Sequence, residues 1–301
     1  MATKQKVQLA IMNAIHDLPV LVARDEGFFV DEGLDIDFVT TPGMAQVTSS
    51  HEAKWDGIFD RPLDAVYNEG GIDQYRMCEW GIMKRAVECE AEGLRPRKIV
   101  ALGASMSSFA IVVAPDSGVY EPEQLKDKPI AVTPFNGSNF TTLKMMEGFL
   151  EMEHIKTVGA GTMPQRIEAM RKGEVAAVSL MEPWISVAQK QGLRILIESH
   201  SSRSEAAGDE LDAATLAAMF RAQTRAVEVL EKDASPYIHY FVAETGGLIE
   251  ESDFRIWGLL HAPPQPYTRE RFDDTYNWTV KWDMVVPGAT FEKVVDNRAW
   301  A

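Results

Sequence analysis

Short apolar blocks rich in β-branched and aliphatic residues recur at residues 7–11, 34–39, 98–102, 109–114, 129–132, 175–180 and 193–197, most of them separated by helix-length stretches. Strands alternating with helices predict a largely parallel sheet, and hence an α/β fold. Periodicity and punctuation place the helices. Residues 138–153 open after Asn136-Gly137 and carry Phe140, Leu143, Met146, Phe149 and Leu150 at helical spacing. Residues 164–172 begin on a proline and close on Gly173, as a short helix does. The longest helix is expected over 212–232, with Leu216, Met219, Phe220, Val227 and Leu230 on one face.

Two stretches break the pattern. Residues 201–210, rich in Ser, Glu, Ala and Gly, form the clearest compositional break and predict a loop, and residues 262–268 carry three prolines. Residues 105–199 then form one β-α unit inside a chain whose two ends belong together. The expected architecture is two α/β lobes, 1–104 with 200–301 and 105–199, with a central cleft between them.

Charge narrows the partners. Thirty Lys and Arg against 45 Asp and Glu leave a net charge of −15, with the basic residues scattered. Such a chain repels phosphate backbones, so nucleic acid is not an expected partner. No window approaches the roughly 18 consecutive apolar residues of a membrane helix, so membrane insertion is not expected. The first six residues lack a basic region, an apolar core and a cleavage site. The expected location is cytoplasmic if Met1 is the native start, and periplasmic if a leader was removed. Cys78 and Cys89 fall at the start and end of one expected helix, too far apart to bridge.

Several motifs carry a resemblance. His16-Asp17-Leu18-Pro19, Glu26-Gly27-Phe28-Phe29 and Glu32-Gly33-Leu34 near the start are followed by Pro122-Glu123-Gln124-Leu125-Lys126-Asp127-Lys128-Pro129. Then come Asn136-Gly137-Ser138, Ala169-Met170-Arg171-Lys172-Gly173-Glu174 and Glu182-Pro183-Trp184. In this order they resemble the type II periplasmic-binding-protein superfamily, in its alkanesulfonate, nitrate and THI5-like (NMT1-like) branch. The resemblance implies a two-lobed fold, Asn136-Gly137-Ser138 as a ligand loop and Glu182-Pro183-Trp184 as a cleft-lining turn. Asp60-Arg61-Pro62, Gly70-Gly71-Ile72 and Glu92-Gly93-Leu94-Arg95 are similar instead to a leaderless enzyme of this superfamily, hydroxybiphenyl sulfinate desulfinase. The position of that enzyme's cysteine nucleophile falls near Ala14 here.

The candidate ligand-binding residues are Asn13, His16, Asp60, Asn136, Ser138, Asn139, Glu182 and Trp184. Asn13 and His16 occupy the turn after the first strand, the edge of an α/β sheet where ligands collect. His16 is equally read as an ordinary polar turn residue. Backbone N–H groups, the Ser138 hydroxyl and the positive helix end can converge on an anion at 136–139, although Ser138 or Asn136 capping the helix explains the same pattern. Glu182 and Trp184 offer an acceptor and an aromatic face, or a hinge-side core. Asp60 and Arg61, with Trp55 and Tyr67, suit either a lid or a surface ion pair.

Cys78 and Glu79 are candidates for catalysis. If 72–77 is a strand and 82–90 a helix, Cys78 lies at the helix start, where the dipole favours thiolate, and Glu79 could act as acid or base. A small buried cysteine beside a routine helix-start glutamate is the other account. His51, His154, His200, His239 and His261 show no metal-ligand spacing, and no nucleotide or hydrolase motif is present, so no cofactor is expected. The primary expectation is a small-molecule solute-binding protein of the ABC-transporter substrate-binding type, with a permease partner if exported. It would close two lobes on a polar or anionic ligand, aromatic ones included. The alternative is a cofactor-independent cytoplasmic lyase or hydrolase, desulfinase- or decarboxylase-like, using Cys78 and Glu79 with His16.

Overall fold

A computed structural model of the chain describes residues 6–40 and 62–301. The amino-terminal part forms β1 (Lys6–Ala10), α1 (Ala14–Asp25), α2 (Phe28–Asp31), β2 (Asp35–Val39), α3 (Pro62–Asn68), β3 (Gln74–Met77) and α4 (Glu79–Glu88). Next come β4 (Lys98–Val113), β5 (Pro129–Val132), α5 (Gly137–Met146), β6 (Lys156–Gly159), α6 (Met163–Arg171), β7 (Ala177–Met181), α7 (Trp184–Lys190) and β8 (Arg194–Ala207). The chain closes with α8 (Ala213–Lys232), α9 (His239–Glu244), β9 (Leu260–His261), α10 (Arg269–Lys281) and α11 (Phe291–Val294).

Among the described residues the strands join one sheet in the order β2-β1-β3-β8-β4-β7-β5-β6, with β9 added to β4. The sheet is mixed rather than largely parallel. β1 runs parallel to β2 and β3, β5 runs parallel to β6 and β7, and the two long strands β4 and β8 run antiparallel between these groups. β3 pairs with one end of β8 (Gln74↔Ala207), and β7 pairs with the other end of β4 (Phe109↔Met181).

Two expectations are corrected along these strands. Residues 98–102 and 109–114 belong to the single strand β4, which bulges between Leu102 and Met106. Gly103 sits in the bulge, where an added Cβ would come within 2.9 Å of the Glu205 carboxylate and 3.1 Å of the Arg203 carbonyl. Residues 201–207 of the expected loop lie in β8, paired with β4 along this stretch and flanked by β3 over Ser204 to Ala207. Pairing with these neighbours overrides the weak strand preference of Ser, Glu and Ala, as tertiary context does for β-propensity generally.

The helices follow their signals more closely. Asp212 caps α8 by accepting from the Thr215 amide at 2.7 Å, and Thr162 and Gln165 form a capping box on α6. α5 stops at Met146, ahead of Gly148, rather than reaching 153, as glycine's backbone freedom disfavours helix. α4 opens at Glu79, three residues earlier than expected, with Cys78 at its amino cap and Cys89 at its carboxyl cap. Both thiols are free and buried. Apolar faces of α1, α8 and α9 cover one side of the sheet, while Trp80, Phe140 and Trp278 pack α4, α5 and α10 together.

Candidate functional site

The carboxyl ends of β1, β3, β5 and β7 converge on one cavity of about 80 Å³. Its wall is built by Met12, Asn13 and His16 after β1, Arg76, Met77 and Cys78 at β3, Thr133 after β5, Ser138 on α5, Ser179 to Met181 on β7, and Arg166 and Arg203. A wider vestibule of about 380 Å³ shares Met12, Asn13, Thr133, Met163, Arg166 and Met181 with this chamber and adds Glu182, Trp184 and Glu244. Strand ends at a change of strand order are where open α/β sheets collect ligands.

The chamber wall is positively charged and largely without compensating carboxylates. Arg203 is 1% exposed, donates through Nε to Ser107 Oγ at 2.9 Å, and lies 5.3 Å over the Phe109 ring. Its Nη2 has no partner among the described residues. Burial lowers its pKa, opposed by the nearby Cys78 and Glu79. Arg166, 2% exposed, donates to the Gly161 carbonyl at 3.1 Å, the Ser179 carbonyl at 2.8 Å and the Thr133 hydroxyl. All three acceptors are neutral, and burial pulls its pKa down to about 10. A buried cation is costly without a counter-charge. Both guanidinium groups gain by meeting an anion.

Arg76 differs because Asp17 accompanies it, Nε to Oδ1 at 2.7 Å. The other Asp17 oxygen accepts the Met12 and Asn13 amides, so this pair fixes the turn that carries Asn13. Arg76 Nη1 makes no hydrogen bond among the described residues and lies 4.0 Å from the buried Glu205 carboxylate.

His16 is held as a neutral acceptor. Asn13 Oδ1 accepts from the His16 backbone amide at 3.1 Å, which identifies that atom as oxygen, and so the contacting His16 Nδ1 must be the donor. Burial, then Arg203 and Arg76, push the imidazole pKa well below its ordinary value. Nε2 therefore keeps its lone pair.

The loop 136–139, expected from the resemblance to meet a ligand, is stabilised internally. Asn136 occupies the amino cap of α5 without a side-chain capping bond. Ser138 Oγ accepts the Thr133 amide at 2.9 Å, so neither residue caps through its side chain. Ser138 and Asn136 face the chamber, whereas Asn139 ties Phe135 to Thr157 and is absent from the lining. Glu182 and Trp184 line the vestibule, and the Glu182 carboxylate is engaged by Ser186 and by Arg255 at 3.2 Å. Burial nevertheless raises its pKa to about 7.

Cys78 lies in the chamber wall, but Glu79 does not. Its carboxylate receives both Arg271 nitrogens, at 2.9 and 3.0 Å, and the Tyr267 hydroxyl, away from the chamber lining. An acid so paired is a structural anchor rather than a base poised beside Cys78. Tyr67 is corrected likewise, being fully buried with its hydroxyl on the Pro96 carbonyl rather than part of a lid. Asp60, Arg61 and Trp55 lie outside the described residues. Among those described, no three His, Cys, Asp or Glu groups are placed to hold a metal ion, and no helix is long and apolar enough to cross a membrane.

Sequence reasoning missed Arg76, Arg166 and Arg203. Arg76 stood in the conditional strand 72–77, beside which only Cys78 and Glu79 were singled out for chemistry. Arg203 was hidden because its segment reads as a loop.

No protein-family model and no curated protein matches the chain. Solved structures do match it. The alkanesulfonate-binding protein SsuA from Xanthomonas axonopodis pv. citri, bound to MOPS, gives a TM-score of 0.72 at 15% identity over 98% of this chain and 99% of that one. The periplasmic nitrate-binding protein NrtA from Synechocystis PCC 6803 gives 0.69 at 13% identity over 99% and 88%. The desulfurization enzyme DSZB gives 0.57 at 10% identity over 96% of each chain. By sheet order, cleft position and these likenesses, the chain has the two-lobed type II fold of the periplasmic binding proteins.

Proposed function

We propose that the chain is a solute-binding protein that closes on a small anion. The observation that carries this reading is the pair Arg166 and Arg203, buried in the wall of one chamber with no carboxylate partner among the described residues. An oxyanion there would receive guanidinium N–H groups, which are short, strong donors to charged oxygen. The amino end of α5 would add a positive dipole. The proposed moving lobes are residues 1–104 with 200–301 and residues 105–199, hinged where β4 and β8 cross between the strand groups. SsuA and NrtA, which share the fold, are named for a sulfonate and for nitrate, both anions. If the chain is exported, its expected partner is an ABC-type permease.

Isothermal titration with nitrate, methanesulfonate, ethanesulfonate, acetate and benzoate, against acetamide as a neutral control, tests the reading. At least one anion should bind at about micromolar Kd and be recovered unchanged. Arg203→Met should weaken it about 100-fold, the loss expected when a charged hydrogen-bond partner is removed. Failure of every anion, or undiminished binding by Arg203→Met, rejects it.

The position of Cys78 in the chamber wall favours one second reading, an enzyme on the same scaffold. It requires that a bound anion be consumed, and that Cys78→Ala retain binding while losing turnover. Without Glu79 in the chamber, His16 is the proposed proton acceptor.

A further inference from the structure

Helix α10 touches both proposed lobes, and each of its ends is held by one glutamate. At the amino end Arg271 donates to the two Glu79 oxygens at 2.9 and 3.0 Å, and the hydroxyl of Tyr267, just ahead of the helix, joins them. This ties α10 to α4 in the first lobe. At the carboxyl end the partner is Glu147, the carboxyl cap of α5 in the second lobe. It accepts from Trp278 Nε1 at 3.0 Å, Lys281 Nζ at 2.8 Å and Trp282 Nε1 at 3.1 Å. Between these ends the Trp278 ring lies 5.7 Å from Trp80 of α4 and 6.2 Å from Phe140 of α5. Trp80 and Phe140 are themselves 5.1 Å apart across the lobe boundary.

The two anchors differ in exposure. The Glu79 side chain is 5% exposed, whereas Glu147 is 19% and its partner Lys281 51% exposed. Water competes for the second anchor, and ion pairs open to solvent contribute far less than buried ones whose rupture strands a charge. Burial works against the Glu147 charge, but the donors from Lys281, Trp282 and Trp278 outweigh it and hold the carboxyl below its ordinary pKa. The Glu147 end is thus formed here and is the end able to let go.

Short steps along the chain connect this contact to the chamber. Trp80 follows Cys78 by two positions and Phe140 follows Ser138 by two, and both Cys78 and Ser138 line the chamber. Moving α4 away from α5 would widen the chamber and strip Trp278 of one of its two ring neighbours. We infer that α10 is a strap across the two lobes, fixed to the first at Glu79 and fastened reversibly to the second at Glu147, and that this fastening holds the lobes closed. The inference rests on the two-lobe closure of the proposed function and not on which solute is bound.

Hydrogen exchange and small-angle X-ray scattering on the full chain without ligand test the strap. Arg269→Met is the control, because it removes an exposed ion pair of the same helix whose partner, Glu292, lies in the same lobe. In Glu147→Ala the amides of 276–282 should exchange about tenfold faster than in the wild type, while those of α4 stay within about twofold. The radius of gyration should rise by about 1 Å as the lobes part, with no rise in Arg269→Met. Trp282→Phe keeps a ring and removes one donor, so it should move both readouts the same way by less, about threefold in exchange. It carries the test should Glu147→Ala fold poorly. Faster exchange at 276–282 without expansion would mean that the strap lets go while the lobes stay shut, which overturns the inference and leaves the solute-binding reading intact. Unchanged exchange there would show that Glu147 does not hold the helix, and overturns it equally. Because no ligand is added, failure of every anion in the titration panel leaves both readouts unaffected.

Discussion

Two sets of buried arginines divide this molecule. Arg85 and Arg97 share Asp64, at 2.6 and 2.9 Å, beneath α3 and α4, and Arg255 bridges Glu182 and Glu198 at 3.2 and 2.6 Å. Arg166 and Arg203 are as deeply buried and have only neutral acceptors. In the first set charge is closed within the fold; in the second it faces a cavity. Buried charge alone therefore identifies no function; the proposed anion site rests on the missing counter-charge beside a cavity.

Opposite responses to substitution would sharpen that contrast. Asp64→Asn leaves two arginines facing each other without an anion, and should lower unfolding free energy in urea by about 3–5 kcal/mol. Arg203→Met removes a buried charge that has no ion-pair partner among the described residues, so stability should hold or rise by about 1 kcal/mol while ligand affinity collapses. Destabilisation by Arg203→Met as large as that by Asp64→Asn would erase the distinction between the sets.

Glu182 tests the closed set through pH. Its pKa rises from 4.5 unfolded to about 7 folded, chiefly by burial. Between those values the folded chain holds a proton that the unfolded chain has released, so this contribution to stability falls as pH rises across that window. Thermal or urea unfolding at several pH values should show the wild type losing on the order of 2 kcal/mol relative to Glu182→Gln between about pH 5 and 8. A difference that grows in the other direction would mean Arg255 outweighs burial there.

A smaller effect is expected at Gly137. An added Cβ would sit 3.0 Å from Arg203 Nη1 and 3.3 Å from Phe109 Cζ, so the guanidinium must shift. Gly137→Ala should weaken anion binding about tenfold while changing stability by less than about 1 kcal/mol, since alanine favours helix. Ser138→Ala is smaller again. Losing the acceptor of the Thr133 amide should cost about 1 kcal/mol of stability, read from the urea midpoint.

Much of the fold was legible because its signals are local. The Asp212 cap of α8, the proline-led start of α6 and the apolar runs of β1, β2, β5 and β7 each rest on neighbours in sequence. What was illegible depends on pairing between distant segments. Ser201 to Ala207 is strand because β4 pairs with it and β3 flanks Ser204 to Ala207, and the bulge at Gly103 lies against Glu205 and Arg203 across the ladder. The candidate site divides in the same way. Asn13, His16 and Ser138 were marked by turn and helix-start chemistry and do line the chamber, while Arg203 lay in an apparent loop and Glu244 in an unremarkable short helix. Glu79 looked available because Arg271 and Tyr267, its partners, are nearly two hundred residues away in sequence.

The most direct test is a crystal structure grown with the tightest-binding anion of the titration panel. Density for that anion should fill the chamber with oxygens about 3 Å from guanidinium nitrogens of both Arg203 and Arg166. An anion bound elsewhere, or a chamber filled without contact to either arginine, would contradict the assignment of this cleft as an anion site.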